Sequence, residues 1–145
     1  MMTDGGRQAM KVQEAVLCLG SNYHAEQGFD VALDKLGRLG SLRLSQVIQG
    51  ADIEARSSLT YHNVCVHLQL YQDIAHDSLQ QQLKQIEKLC GRDEHKKTAE
   101  FDYQVALDID ILAVCIKNNW QVNPKRLPFK AHERIGIQQL ASFLL

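Results

Sequence analysis

The sequence predicts an α+β domain with the element order strand, helix, strand, strand, helix, strand. Three observations carry this expectation. Residues 60–71 alternate, with Val64, Val66, Leu68 and Leu70 on one strand face and Tyr61, Asn63, Cys65, His67 and Gln69 on the other. Two segments have helical spacing instead: Phe29, Ala32, Leu33 and Leu36, then Leu79, Leu83, Ile86 and Cys90. The chain has 145 residues, 45% of them apolar, which suits one domain with a single core.

Taken in order, residues 1–13 are polar and glycine-bearing and read as a loose tail, leaving 14–145 as a single domain. Glu14 to Leu19 is a nearly continuous apolar run ended by Gly20, the pattern of a central strand. The helix over 25–39 stops at Gly40. Ser41 to Glu54 is a rougher strand whose alternation slips, as at a bulge. After the strand over 60–71, Asp77 or Ser78 is placed to cap the second helix, and Gly91 to end it. Residues 92–104 are charged and irregular, a surface loop. Val105 to Ile116 is again strand-like, and Asn123-Pro124 turns the chain into a short amphipathic end. This is the ferredoxin-like β-α-β-β-α-β order, with helices packed on one face of an antiparallel sheet. The fold hosts many activities, so it decides none.

The net charge of −1 gives no basic excess of the kind that marks nucleic-acid or acidic-membrane partners. No apolar run approaches the roughly 20 residues of a membrane span, and the N-terminus has no apolar signal segment. A cytoplasmic setting is expected. Cys18, Cys65, Cys90 and Cys115 are far apart and lie in apolar stretches, so they read as reduced, buried thiols. Their spacing does not predict a zinc site, and no two histidines form an H-x-x-x-H pair.

The sharpest local feature is Leu107-Asp108-Ile109-Asp110-Ile111. On a strand the two aspartates project together, away from the core-facing Leu107, Ile109 and Ile111. Such a pair suits either a solvated strand face or a hard cation such as magnesium. Gly20-Ser21-Asn22 reads as a tight strand–helix junction, without the spacing of a phosphate-binding P-loop. Tyr61 and Asn63 share a face, either as surface residues or as a ring and amide that hold a flat heterocycle. Glu87 reads as solvent-facing. Arg92, Lys96 and Lys97 can reach phosphates, but Asp93, Glu94, Glu100 and Asp102 dilute their charge.

These features follow one another in a telling order: Leu19-Gly20-Ser21-Asn22, Tyr61-His62-Asn63-Val64, Ile86-Glu87, Gly91-Arg92, Leu107 to Leu112, Arg126-Leu127 and His132-Glu133-Arg134. The series resembles the 6-hydroxymethyl-7,8-dihydropterin pyrophosphokinase family over about residues 14–135. The resemblance implies ATP-dependent transfer of a pyrophosphoryl group to the hydroxymethyl of a pterin, a step of folate biosynthesis that leaves AMP. It implies that Asp108 and Asp110 are catalytic and hold two Mg2+ ions with ATP. It places Gly20, Ser21, Asn22, Tyr61 and Asn63 at the pterin. Glu87, Arg92, Arg126 and Arg134 would contact ATP, Arg92 also acting in catalysis.

The sequence departs from the family's pattern at several of these places. Val105 stands where the family has an arginine, with Phe101 or Tyr103 near a missing tryptophan. Glu94 replaces a second loop arginine, and Gly50-Ala51 replaces a Thr-Pro of the pterin loop. Phe129 replaces a histidine that touches ATP. Gly136 replaces the second aromatic of the pterin sandwich. An enzyme with reduced activity is therefore expected. The alternatives are an impaired relative that binds nucleotide or pterin, and an unrelated ferredoxin-like interaction module.

Overall fold

The computed structural model describes residues 10–50, 59–91 and 104–145. Ala51, Arg92, Asp93, Glu94, Lys96, Lys97, Glu100, Phe101, Asp102 and Tyr103 lie outside the described residues.

Strand β1 (Lys11–Ser21) is the centre of the sheet, hydrogen-bonded to β4 (Tyr61–Ala75) on one side and β5 (Asp108–Ile116) on the other. Its run of apolar residues is explained by burial on both faces. Val12, Ala15, Leu17 and Leu19 belong to one hydrophobic cluster, and Val16 and Cys18 to a second. Strands β2 (Gly40–Leu44) and β3 (Ile48–Gly50) both pair with β4, and β6 (Asn119–Val122) pairs with the end of β5. The order is β2-β4-β1-β5-β6, with β3 also on β4, and every pairing is antiparallel.

Helices α1 (Ala25–Leu39) and α2 (His76–Leu89) supply Phe29, Leu36, Leu79, Leu83 and Ile86 to the first cluster. Burying each such side chain is worth about 1.5–3 kcal/mol. The expected α+β arrangement is thus present. A third helix, α3 (Ala131–Leu140), corrects the expectation that all helices share one face. Its Ile137 and Leu140 join Val16, Cys18, Cys65, Leu112 and Phe129 on the opposite side. No helix among the described residues is long and apolar enough to cross a membrane.

Other boundaries differ for local reasons. β1 begins at Lys11, because Val12 is fully buried between Ile74 and Ile116. The rough second strand is divided at Ser45. The Ser45 N–H donates to the Cys65 carbonyl (2.9 Å) and the Cys65 N–H donates to Ser45 Oγ (2.8 Å), so a hydroxyl replaces one rung of the ladder. Helix α2 starts at His76, its N-cap is Ala75, and neither Asp77 nor Ser78 caps it. Gly91 ends that region at φ 84°, the left-handed conformation that favours glycine. Gly40 ends α1 in extended backbone instead. It is needed for space, since a Cβ there would lie 2.1 Å from the Gln69 carbonyl oxygen. The β5–β6 hairpin, turning at Lys117 and Asn118 with φ 52° and 64°, is an element beyond the expected six.

Two bulges set which residues face where. The β1 pairings shift between Val12 and Glu14, and the β1–β5 pairing shifts again so that Leu112 is the extra residue. Ile109 and Ile111 therefore share the first core with Val114 and Ile116, while Leu112 turns to the second.

Candidate active site

Residues paired across antiparallel strands point to the same face. Asn63, Gly20 and Asp108 form one such row across β4, β1 and β5, and Cys65, Cys18 and Asp110 form the next. The second face is closed over the Cys65 end by α3. Tyr61, Asn63, Asp108 and Asp110 are only half-buried.

Gly20 shapes the centre of the first row. A Cβ there would lie 3.0 Å from Asn63 Oδ1 and 4.0 Å from two ring carbons of Tyr61. The amide and the ring thus lean over the one position in the row without a side chain, and the floor beneath them is bare backbone. Ser21 and Asn22 contribute differently. Both are buried. Asn22 Oδ1 accepts the Val105 N–H (2.6 Å), the Asn22 N–H donates to the Val105 carbonyl (3.0 Å), and Ser21 Oγ donates to the same carbonyl (3.3 Å). These bonds fix the approach of the chain to β5, and so the height at which Asp108 emerges.

Asp108 and Asp110 open onto a groove of about 560 Å³, which Glu87, Lys84, Lys88, Lys125 and Arg126 also line. Arg126 donates to Asp110 in an ion pair. The Asp110 carboxyl is pushed up to about 7, first by burial and then by the negative Asp108, against the lowering effect of Arg126. Two carboxylates held on one face at this electrostatic cost fit a divalent cation with oxygen preference, which would remove the cost. Magnesium supplies charge neutralisation to phosphate oxygens when bound.

Along this stretch no strand among the described residues pairs with the outer side of β5, because β6 pairs only with Ala113 to Ile116. Side chains take up the exposed ladder groups. Glu87 Oε2 accepts the Ile109 N–H (2.7 Å), and Asn123 Nδ2 donates to the Ile111 carbonyl (2.9 Å). The Asn123 N–H donates to the Leu112 carbonyl (2.9 Å), and Asn123 Oδ1 accepts the Lys125 N–H (3.1 Å), which orients the short turn Pro124–Arg126. Glu87, expected from sequence to be solvent-facing, is thus half-buried and ties α2 to the aspartate strand.

Of the residues singled out in the sequence, Gly20, Tyr61, Asn63, Asp108, Asp110, Glu87 and Arg126 come together on this face and groove. Arg134 lies on the exposed side of α3, outside the groove lining. Arg92 is outside the described residues. Lys84, Lys88 and Lys125 were missed. The signal was the i, i+4 spacing of Lys84 and Lys88 beside Glu87, and a lysine next to Arg126.

The departures also have structural reasons. Phe129 is buried in the second core. Val105 is 8% exposed. Gly136 packs on β4 so closely that a Cβ would lie 2.3 Å from Cys65 Sγ. Three of the cysteines are buried as expected, but Cys90 is half-buried, its Sγ donating to the Gly28 carbonyl (3.6 Å).

Comparison with known families gives a match of residues 16–136 to the family described as 7,8-dihydro-6-hydroxymethylpterin-pyrophosphokinase (HPPK). No curated protein matches the chain.

Proposed function

From the premise that the chain belongs to the 7,8-dihydro-6-hydroxymethylpterin-pyrophosphokinase family, a family of diphosphotransferases in folate biosynthesis, we propose that it transfers the pyrophosphoryl group of ATP to 6-hydroxymethyl-7,8-dihydropterin. The observation that carries this reading is the cross-strand row Asn63–Gly20–Asp108. It puts a ring and amide suited to a flat heterocycle beside a carboxylate pair suited to magnesium and phosphates.

In this reading the pterin lies on the backbone floor at Gly20. Tyr61 stacks on it and Asn63 hydrogen-bonds its edge. The triphosphate lies in the groove, where Lys84, Lys88 and Lys125 offset its charge and Asp108 and Asp110 hold two Mg2+ ions with it. Arg126, relieved of Asp110, turns to a phosphate. Glu87 keeps β5 in place through Ile109. Arg92 and Arg134 contact the nucleotide, as the family resemblance implies. The pterin hydroxyl oxygen bonds to the β-phosphorus, the bond to the α-phosphate oxygen breaks, AMP leaves, and the hydroxyl proton passes to solvent. Positioning and charge neutralisation do this work without a covalent enzyme intermediate.

A second reading, ligand binding without efficient transfer, is favoured by the core roles of Val105, Phe129 and Gly136. Each occupies a position where the family has a ligand-contacting side chain. Turnover to AMP with Mg2+-ATP and the pterin separates the two. The first reading expects AMP and pterin diphosphate in equal amounts, at a rate on the order of 100-fold or more below a complete family member, since one lost electrostatic donor costs that much. Binding of both ligands without AMP would establish the second.

A further inference from the structure

Beyond the aspartate pair, the second face of the sheet holds a polar cluster that pyrophosphoryl transfer leaves unused. Cys18 of β1 and His132 and Glu133 of α3 each present one ligand atom: a sulfur, an imidazole nitrogen and a carboxylate oxygen. These atoms all lie within 4.8 Å of one another. The fold explains the meeting. Cys18 sits beside Cys65 in the row that α3 covers, and Gly136 lets that helix settle onto Cys65 without an intervening side chain.

Two members of the cluster are also almost fully buried. Cys18 is 4% exposed and Glu133 2%. Glu133 Oε1 accepts the Lys130 N–H (2.8 Å), and no cation pairs with this carboxylate among the described residues. Nor does the His132 ring make a hydrogen bond to them. A carboxylate buried with a single backbone donor leaves acceptor lone pairs unused, which is costly away from water.

We propose that Cys18, His132 and Glu133 bind a borderline divalent cation of the zinc class. The donor set selects it: magnesium and calcium take oxygen ligands, whereas a thiolate with an imidazole and a carboxylate suits zinc. Zinc bonds of about 2.0–2.3 Å in a tetrahedron put donors about 3.3–3.8 Å apart, which small side-chain rotations reach from the present separations. Glu133 keeps its capping bond through Oε1 and ligates through its second oxygen. The Cys18 thiol loses its proton to solvent on binding. Thiolate and carboxylate then balance the two positive charges, so the buried site is neutral. Three protein ligands leave the fourth position to water. Asp110 is the cross-strand partner of Cys18, so this site adjoins the aspartate pair while sharing no ligand with it.

Cobalt titration of the full chain, stripped with chelator and kept reduced, tests this directly. One Co2+ per chain is expected to bind with a thiolate–cobalt charge-transfer band, to be displaced by Zn2+, and to resist a large excess of Mg2+. Cys18→Ser should abolish the band. His132→Ala, at a half-buried position where folding is least at risk, should weaken binding about 10–100-fold or more. Asp108→Asn and Cys115→Ala should leave the band unchanged. Absence of saturable binding, or a band that survives both Cys18→Ser and His132→Ala, overturns the proposal. So does loss of the band in Asp108→Asn. None of these readouts depends on AMP formation, so failure here is separable from failure of the pyrophosphokinase reading.

Discussion

Asn63 and Gly20 face each other across β4 and β1, with the amide oxygen of Asn63 3.0 Å from the place a Cβ on Gly20 would occupy. The amide can lean over the floor because the neighbouring residue has no side chain. Gly20→Ala has no backbone conflict, since Gly20 does not have a positive φ. Its methyl group would shift the Asn63 amide oxygen by a few tenths of an ångström and cover the bare floor beneath the Tyr61 ring. Pterin affinity, read by fluorescence titration, should fall by the equivalent of a lost buried hydrogen bond, about 1–3 kcal/mol. Magnesium-nucleotide binding should be unchanged, because the groove lies on the other side of Asp108. Unaltered pterin affinity would remove Gly20 and Asn63 from the pterin site.

Asp110 gives the apo protein a pH dependence with a definite sign. Its carboxyl is raised from 3.8 to about 7, so between those values the folded chain holds a proton that the unfolded chain has lost. The contribution of this group is favourable at low pH and is lost as pH rises through that window. In urea denaturation without metal, the stability of Asp110→Asn relative to the parent should grow between about pH 4 and about pH 7. Magnesium requires the deprotonated form, so magnesium-nucleotide affinity of the parent should rise over the same interval. A constant gap between parent and variant would mean that Asp110 is not strained by burial and by Asp108.

Glu87 holds the aspartate strand at an edge that no other strand among the described residues covers. Removing the acceptor in Glu87→Ala leaves the Ile109 N–H without its 2.7 Å partner and should cost about 1–3 kcal/mol of stability. Glu87→Gln keeps an acceptor oxygen and should cost less than half as much. If instead both variants are fully stable and both lose nucleotide affinity equally, Glu87 acts on the nucleotide alone.

The sequence carried the first core almost completely, because strand and helix periods report burial on one face directly. The aspartate pair and the Tyr61/Asn63 pair were legible for the same reason, as residues two apart on a strand. What was not legible depends on partners distant in the chain. Ser45 standing in for a rung of the ladder, Glu87 capping Ile109, and α3 covering the second face all require the sheet order to be known. The departures from the family pattern are the instructive case. In the sequence, Val105 reads as a missing arginine. In the structure it is a buried valine whose peptide is held by Ser21 and Asn22, so a long cation there would have to leave the position the valine fills.

Gly136 extends that point to a variant that sequence comparison alone would recommend. Gly136→Phe restores an aromatic where the family has one, and a sequence-based argument expects tighter pterin binding from it. The structure predicts the opposite. A Cβ at this position would meet Cys65 Sγ at 2.3 Å and Cys65 Cβ at 2.7 Å, before any ring is added. Contacts this short cannot be absorbed by a flexible side-chain end, because Cys65 is short and lies on a central strand. Helix α3 would have to lift from the sheet, separating Ile137 and Leu140 from Val16 and Cys18. Overpacking of this kind costs about 1–3 kcal/mol and more when a helix moves. The urea midpoint of Gly136→Phe should therefore drop, with no gain in pterin affinity. Gly136→Ala should fall part of the way. Adding Cys65→Ala to Gly136→Ala should recover some of that loss, since the sulfur is the nearer clash, and the two effects should be non-additive as expected of residues in contact. A Gly136→Phe protein as stable as the parent, with tighter pterin binding, would show that α3 yields and that this position still belongs to the binding site.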